Sequence, residues 1–339
     1  MKAILWTGNR ELSYCDILEP SPKKDWVKLK VLTCGYCATD YHIMTGALDI
    51  CEPPHVLGHE ICGKVVEVGE GVNPDIIGKR AVVETYVGCD DCEYCKNGLS
   101  NLCEAGEIGY PPLQGGEAEY VCVPRKCLHF LPDQVTDDEA GIMEAVVCPF
   151  GAIMCSDVKD KTVVVYGAGI AGLSFIQASK VFGAKKVIAV VRNDVKKEQA
   201  LHFGADVVID TRKEDFITRV KEETNGYGTD FFADATGVVK IIEEGFNSLR
   251  KGGKVILYGL PEKSAKISLS IFELILNQIS FCGYTGNSEA WEKVIEATAQ
   301  GKLNLKDMVT YSLDLKDTKK AVEMLDNKPQ DMIKIVLHP

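Results

Sequence analysis

No stretch of this 339-residue sequence reaches the roughly 18 uninterrupted apolar residues of a membrane-spanning helix. The first residues lack the charged start and apolar core of a secretion signal. Met1 to Glu11 instead alternates apolar and polar residues like a strand. Positive charge is in deficit: 38 Lys and Arg face 49 Asp and Glu, a formal net charge of −11. That balance disfavours a broad nucleic-acid or anionic-membrane surface, since both need clustered cations. A small basic pocket for one phosphate remains compatible with it. There is no internal repeat and no low-complexity segment. These absences lead us to expect a soluble, cytosolic protein with neither nucleic acid nor membrane as partner.

The length allows about two domains, and 46% hydrophobic with 26% charged residues is an ordinary globular balance. Fourteen cysteines are many. In a long chain without a signal they point to metal ligands plus reduced, buried thiols rather than disulfides. Cys89, Cys92, Cys95 and Cys103 cluster tightly, whereas Cys15, Cys51, Cys62, Cys122, Cys127, Cys155 and Cys282 lie scattered among apolar neighbours. The scattered ones are expected in the core.

Residues 1–149 carry short β-like runs (Trp26–Leu32, Gly63–Val68, Arg80–Tyr86, Ala118–Pro124) broken by Gly and Pro, as in barrel-like β folds. Near residue 160 the texture changes. Thr162–Tyr166 is a continuous apolar run, followed by a glycine-rich turn and a helical stretch, Gly172–Phe182. Lys186–Val191, a helix at Val195–Phe203, Val207–Ile209, Phe231–Ala235 and Lys254–Tyr258 continue the alternation. Apolar strands with helices between them predict a doubly wound parallel sheet over 150–287. The last segment, 288–339, holds helical stretches at Ala290–Ala299 and Lys316–Leu325 and a final strand at Ile333–Leu337. It is too short for an independent domain and is expected to pack back on the first. The fold class is thus α/β: a β-rich domain plus a dinucleotide-binding one.

Gly167-Ala168-Gly169-Ile170-Ala171-Gly172 fits G-x-G-x-x-G between a strand and a helix, the context that gives this string meaning. The first glycine permits the turn, the second lets a pyrophosphate approach, and the third lets helix and strand pack closely. The helix N-terminus offers free N–H groups to the phosphates. Where the second strand ends, an NAD site normally places an acid for the adenosine ribose. Here the chain reads Val191-Arg192-Asn193, followed by Lys196 and Lys197. Arginine grips a 2′-phosphate that a carboxylate would repel, so NADP(H) is expected. The alternative is a solvated helix start, with Asp194 as a displaced ribose acid.

Cys89-x-x-Cys92-x-x-Cys95, with Cys103 beyond, puts four thiolates in one polar loop, a closed tetrahedral shell for zinc. With no coordination position left open, such a site staples a loop and does not catalyse. An iron–sulfur cluster is the alternative, but hydride chemistry needs no electron relay.

Two more segments carry ligand-type residues: Cys37-Ala38-Thr39-Asp40-Tyr41-His42 and Gly58-His59-Glu60. Together with the cysteine loop and the later coenzyme motif, in this order, they resemble the zinc-dependent medium-chain dehydrogenase family over the whole chain. The resemblance implies a GroES-like β domain joined to a Rossmann domain, with the active site in the cleft between them. It implies that Cys37 and His59 hold a catalytic zinc, that Glu60 binds or approaches the metal in exchange with water, and that Asp40 orients the histidine. The third firm ligand falls on Glu144, with Cys148 as competitor. Thr39 and His42 match the family's proton relay, and Thr236 and Gly259 match loops lining the nicotinamide. The implied chemistry is hydride transfer between NADP(H) and an alcohol, aldehyde or ketone, with two zinc ions per chain. A polyol or sugar-derivative substrate is the alternative, though Phe281–Asn287 lacks the Arg-Tyr pair of a sorbitol pocket. A non-catalytic nucleotide-binding relative is a third reading. Tyr41, Met44, Tyr110, Phe150 and Tyr284 are candidate pocket walls by position, and a homodimer or homotetramer is expected.

Overall fold

The computed structural model describes residues 1–286 and 288–339; Asn287, which closes both the expected 150–287 domain and the Phe281–Asn287 stretch, lies outside the described residues. Two compact units emerge: Met1–Ala145 with Asn287–Gly301 and Leu305–Pro339, and Val146–Gly286 with Lys302–Asn304.

The first unit opens on a hairpin, β1 (Lys2–Gly8) and β2 (Glu11–Asp16), and continues through β3 (Trp26–Tyr36), β4 (Glu60–Val68), β5 (Arg80–Val83), β6 (Tyr120–Pro124) and β7 (Leu128–Phe130). Val27, Leu29 and Val31 of β3 point into the core while Lys28 and Lys30 point outward, the alternation of a half-buried strand. From Thr33 to Tyr36 every residue is buried, so β3 runs four residues beyond the expected Leu32. Burial on both faces erases the alternation by which a strand is recognised.

The second unit holds β8 (Thr162–Tyr166), β9 (Lys186–Val191), β10 (Val207–Asp210), β11 (Thr229–Asp234), β12 (Leu249–Leu257) and β13 (Ser280–Gly283). They form one parallel sheet in the order β10-β9-β8-β11-β12-β13. This is the Rossmann order, with the switch point between β8 and β11. Its core gathers Val164, Ile188, Ile209, Phe232 and Val255.

The chain then returns to the first unit with β14 (Val309–Asp314) and β15 (Lys334–His338), completing a seven-stranded sheet, β14-β15-β3-β4-β5-β7, with β6 also paired to β3. β15 pairs antiparallel with the end of β3, Ile335 opposite Tyr36. Among the described residues no helix is long and apolar enough to cross a membrane.

Two expectations need correction. Cys155 and Cys282 are exposed, not core thiols. Cys282 sits on β13, the outermost strand of its sheet, and Cys155 follows the last turn of the Met143–Met154 helix. Apolar neighbours in sequence do not tell which face of an edge strand or helix end is covered. Met44 and Phe150 are not pocket walls but core: Met44 is 3% exposed and accepts a contact from the Tyr36 hydroxyl, and Phe150 packs on Phe182.

Candidate active site

In the second unit β8 delivers the chain into the glycine turn. Gly167 has φ +103°, a conformation that penalises any side chain. A Cβ on Gly172 would lie 2.0 Å from the Gly167 carbonyl oxygen, so only glycine lets the helix Ile170–Val181 begin this close to β8. Nothing lies within 4 Å of where a Gly169 Cβ would stand. Ala168, Ile170 and Ala171 complete the turn and the first helical positions.

At the tip of β9, Arg192 is exposed and makes no hydrogen bond or ion pair among the described residues. Asn193 caps the next helix, its side chain accepting from Lys196 N at 2.7 Å. Lys196 reaches Gln199 at 2.8 Å. The acid beside them, Asp194, is engaged by Lys213 at 2.9 Å and Arg212 at 3.2 Å. On the other side of the switch point, buried Asp234 accepts bonds from Thr236 N, Thr236 Oγ1 and Gly237 N, and fixes the loop after β11. Gly259 closes against Thr236 and Gly237 with no room for a side chain.

In the first unit the Sγ atoms of Cys89, Cys92, Cys95 and Cys103 lie within 4.8 Å of one another. Backbone N–H groups turn inward onto the sulfurs: Cys92 N donates to Cys89 Sγ (3.2 Å), Cys95 N to Cys92 Sγ (3.5 Å), and Ala105 N to Cys103 Sγ (3.4 Å). N–H bonds from Asp91 and Cys92 bring the Cys89 thiol down to about 6. At Cys92 the Cys95 N–H bond acts the same way, but desolvation and the neighbouring thiols outweigh it and raise the group to about 11. Four sulfurs so close cannot all ionise unless a cation sits among them, and this donor set suits zinc.

A second donor cluster forms where strand ends meet. The antiparallel register of β3 and β4 sets Gly35 opposite Glu60. That brings Cys37, at the start of the Ala38–Met44 helix, beside His59 and Glu60, and one donor atom of each lies within 4.8 Å of the others. Glu144 Oε2, near the start of the Met143–Met154 helix, lies 3.8 Å from His59 Nε2. Cys148 Sγ instead donates to the Thr285 carbonyl at 3.6 Å.

The electrostatics also favour a cation. Burial pushes the Glu144 carboxyl up to about 7. Burial opposes charge on His59, yet Asp40 and Cys37 more than offset it and hold that imidazole well above its usual range. Glu60 is wholly buried; Lys334 from β15 pairs with one of its oxygens, and the other, Oε2, has no hydrogen-bond partner. An orphaned carboxylate oxygen next to a thiol and an imidazole is what a metal would satisfy.

Around this cluster, Thr39 Oγ1 lies 3.5 Å from Cys37 Sγ, and His42 is exposed on the next turn of the same helix. Asp40 is buried; its Oδ1 stands 3.5 Å from His59 Nδ1 and accepts from Gly58 N, while Oδ2 accepts from Cys37 N. Sequence reasoning missed three neighbours. Lys334 is a lysine inside an apolar run, which is a readable signal. Glu117, a carboxyl 1% exposed whose Oε1 lacks a partner, gave none. Tyr110, expected on position alone to be a pocket wall, has its hydroxyl 2.8 Å from His59 Nδ1.

Residues 23–133 match the alcohol dehydrogenase GroES-like domain and residues 171–300 the zinc-binding dehydrogenase domain. A sorbitol dehydrogenase of Halalkalibacterium halodurans is 34% identical over 100% of this chain and 99% of its own length. The chain belongs to the zinc-dependent medium-chain dehydrogenase family. An L-threonine 3-dehydrogenase of Pyrococcus abyssi is 33% identical over 89% of this dehydrogenase and 87% of its own chain. Among solved structures, an alcohol dehydrogenase from Thermus sp. ATN1 superposes with a TM-score of 0.92 at 27% identity, covering 100% of this chain and 99% of that one. This dehydrogenase is therefore a zinc-dependent oxidoreductase of the alcohol and polyol type.

Proposed function

We propose that this dehydrogenase interconverts an alcohol and its aldehyde or ketone with NADP(H), at a zinc held by Cys37, His59 and Glu144, with Glu60 in reserve. The observation that carries the reading is the convergence of these donors, one of them ending in an unsatisfied carboxylate oxygen. Glu144 is preferred to Cys148 as third ligand because its carboxylate stands 3.8 Å from His59 Nε2. A second zinc, in the four-thiolate loop, holds structure.

Zinc bound among these donors supplies a Lewis acid toward the substrate oxygen. NADP(H), bound over the glycine turn, supplies or accepts the hydride. The chain's own residues manage the proton. The Thr39 hydroxyl, bordering the donor cluster, relays the proton of the alcohol's O–H as the hydride departs, accepting it while passing its own proton on, and exposed His42 takes up the proton and releases it to solvent, a task suited to imidazole. Reduction of a carbonyl runs the same proton path inward.

NADP(H) is supported by Arg192, free to grip a 2′-phosphate, and by Asp194, whose charge Arg212 and Lys213 occupy. A polyol or sugar-derivative substrate is the second reading, favoured by likeness to the sorbitol dehydrogenase. A panel of ketones, aldehydes, polyols and sugar phosphates, each with NADPH and with NADH, separates the two. Turnover with NADPH and simple carbonyls supports the first, and turnover confined to polyols supports the second. Faster turnover with NADH would sink the cofactor assignment.

A homo-oligomer is supported by the short helix Ile271–Leu276, where Ile271, Phe272, Ile275 and Leu276 are 62–73% exposed and which leads in the chain into β13, the edge strand of its sheet. A purely monomeric species on sedimentation at micromolar concentration would contradict it. Fourteen cysteines with no disulfide among the described residues suit a reducing compartment, the cytosol.

A further inference from the structure

Tyr110 carries a role that neither family likeness nor sequence assigns. Its side chain is 8% exposed, and its hydroxyl lies 2.8 Å from His59 Nδ1, with the two rings 5.5 Å apart at a 40° tilt. The other ring nitrogen, Nε2, faces Glu144 and the donor cluster. Nδ1 therefore points away from the metal position, towards two oxygens. Asp40 Oδ1 is the farther, at 3.5 Å, and both Asp40 oxygens are shared with backbone N–H groups, Gly58 N and Cys37 N, each at 3.4 Å. Asp40 thus ties together the backbones that carry Cys37 and His59, while the nearer of the two oxygens facing Nδ1 is that of the phenol.

The loop that presents Tyr110 is itself tied to the His59 segment. Gly115 N donates to Val56 O, Glu117 N to Leu57 O and Gly116 N to Gly58 O. Leu113 N closes a turn onto the Tyr110 carbonyl at 2.8 Å. The phenol is held by the backbone next to the residue it touches.

We infer that Tyr110 is a positioning residue for the catalytic zinc: its oxygen accepts the Nδ1–H of His59 and so fixes both the ring's rotation and the tautomer that leaves Nε2 free to bind metal. The inference rests on the metal reading above. A neutral imidazole has one N–H; with that proton held on Nδ1, Nε2 keeps its lone pair for zinc. Partners of this kind typically change metal affinity by about 10–100-fold.

The test is zinc affinity by chelator competition, comparing wild type with Tyr110→Phe, which keeps the ring and removes only the oxygen. The four-thiolate zinc, in the same unit but on other residues, serves as control within each molecule. Expected is loss of about tenfold or more in affinity for the catalytic zinc, with the four-thiolate zinc unchanged. Equal affinity in wild type and variant overturns the role of Tyr110 alone. A wild type that binds no zinc beyond the four-thiolate site overturns the metal reading and this inference with it. A second measurement needs no variant. In zinc-loaded, 15N-histidine-labelled wild type, the His59 Nδ1–H resonance should exchange slowly with water, and fast exchange would refute the bond.

Discussion

Lys334 reaches from the last strand to the carboxylate of Glu60, and neither group is more than 5% exposed. The pairing follows from topology: β15 and β4 both flank β3, with Lys334 next to the residue opposite Tyr36 and Glu60 opposite Gly35. Removing one partner leaves a buried charge alone. Lys334→Met should cost about 3–5 kcal/mol in denaturant unfolding of the zinc-loaded protein. The double variant K334M/E60L should recover much of that loss. Additive losses in the two would show that the pair is not coupled.

His129 supplies a pH dependence away from both metal sites. Its ring stacks on Trp291, Nε2 lies 3.1 Å from Glu84 and Nδ1 2.8 Å from Glu292. Burial disfavours the charged ring, but the two carboxylates more than offset that and raise its pKa. A raised histidine stabilises the fold fully below its unfolded value of about 6.5, and the gain is lost as pH rises through the higher folded value. Urea midpoints should therefore fall from pH 6 towards pH 8 and above, and His129→Gln should flatten that slope. An unchanged slope in the variant would remove His129 as the cause.

Arg192→Asp tests the cofactor preference. A charge-assisted hydrogen bond is worth about 1.5–3 kcal/mol, so the ratio of kcat/KM for NADPH over NADH should drop by about 10–100-fold. The variant should keep its melting temperature, because Arg192 is exposed and unpaired among the described residues. A preserved ratio would shift the reading to the NAD form.

Cys92→Ser should remove the metal of the four-thiolate loop and lower the melting temperature, while the catalytic donors, which share none of its residues, keep theirs. Metal analysis of the purified variant reads both outcomes. A variant that retained full zinc content and stability would disprove the staple.

Motifs that are local in sequence were the most legible. Gly167 to Gly172 and Cys89 to Cys103 each lie within one short stretch, so spacing alone exposes their chemistry. β8 and β9 were bounded to the residue, because apolar runs between turns are unambiguous. The register that brings Cys37 to His59 is different. It depends on β3 continuing to Tyr36, a stretch in which burial on both faces hides the alternation. Lys334 and Tyr110 lie 274 and 51 residues from their partners. Nothing in local pattern reports a contact across such separations: the apolar run around Lys334 signals a buried lysine but not its partner, and a buried tyrosine reads in sequence like a wall. The buried Glu117 was invisible for the same reason.

The central claim, a catalytic zinc on Cys37, His59 and Glu144 beside a separate four-thiolate zinc, is most directly tested by counting zinc per chain in wild type and His59→Ala alongside NADPH-dependent carbonyl reduction. The account predicts about two zinc ions and turnover in the wild type, then about one zinc and loss of turnover in the variant. A wild type with a single zinc, or a His59→Ala protein that keeps both ions and its full rate, would contradict it.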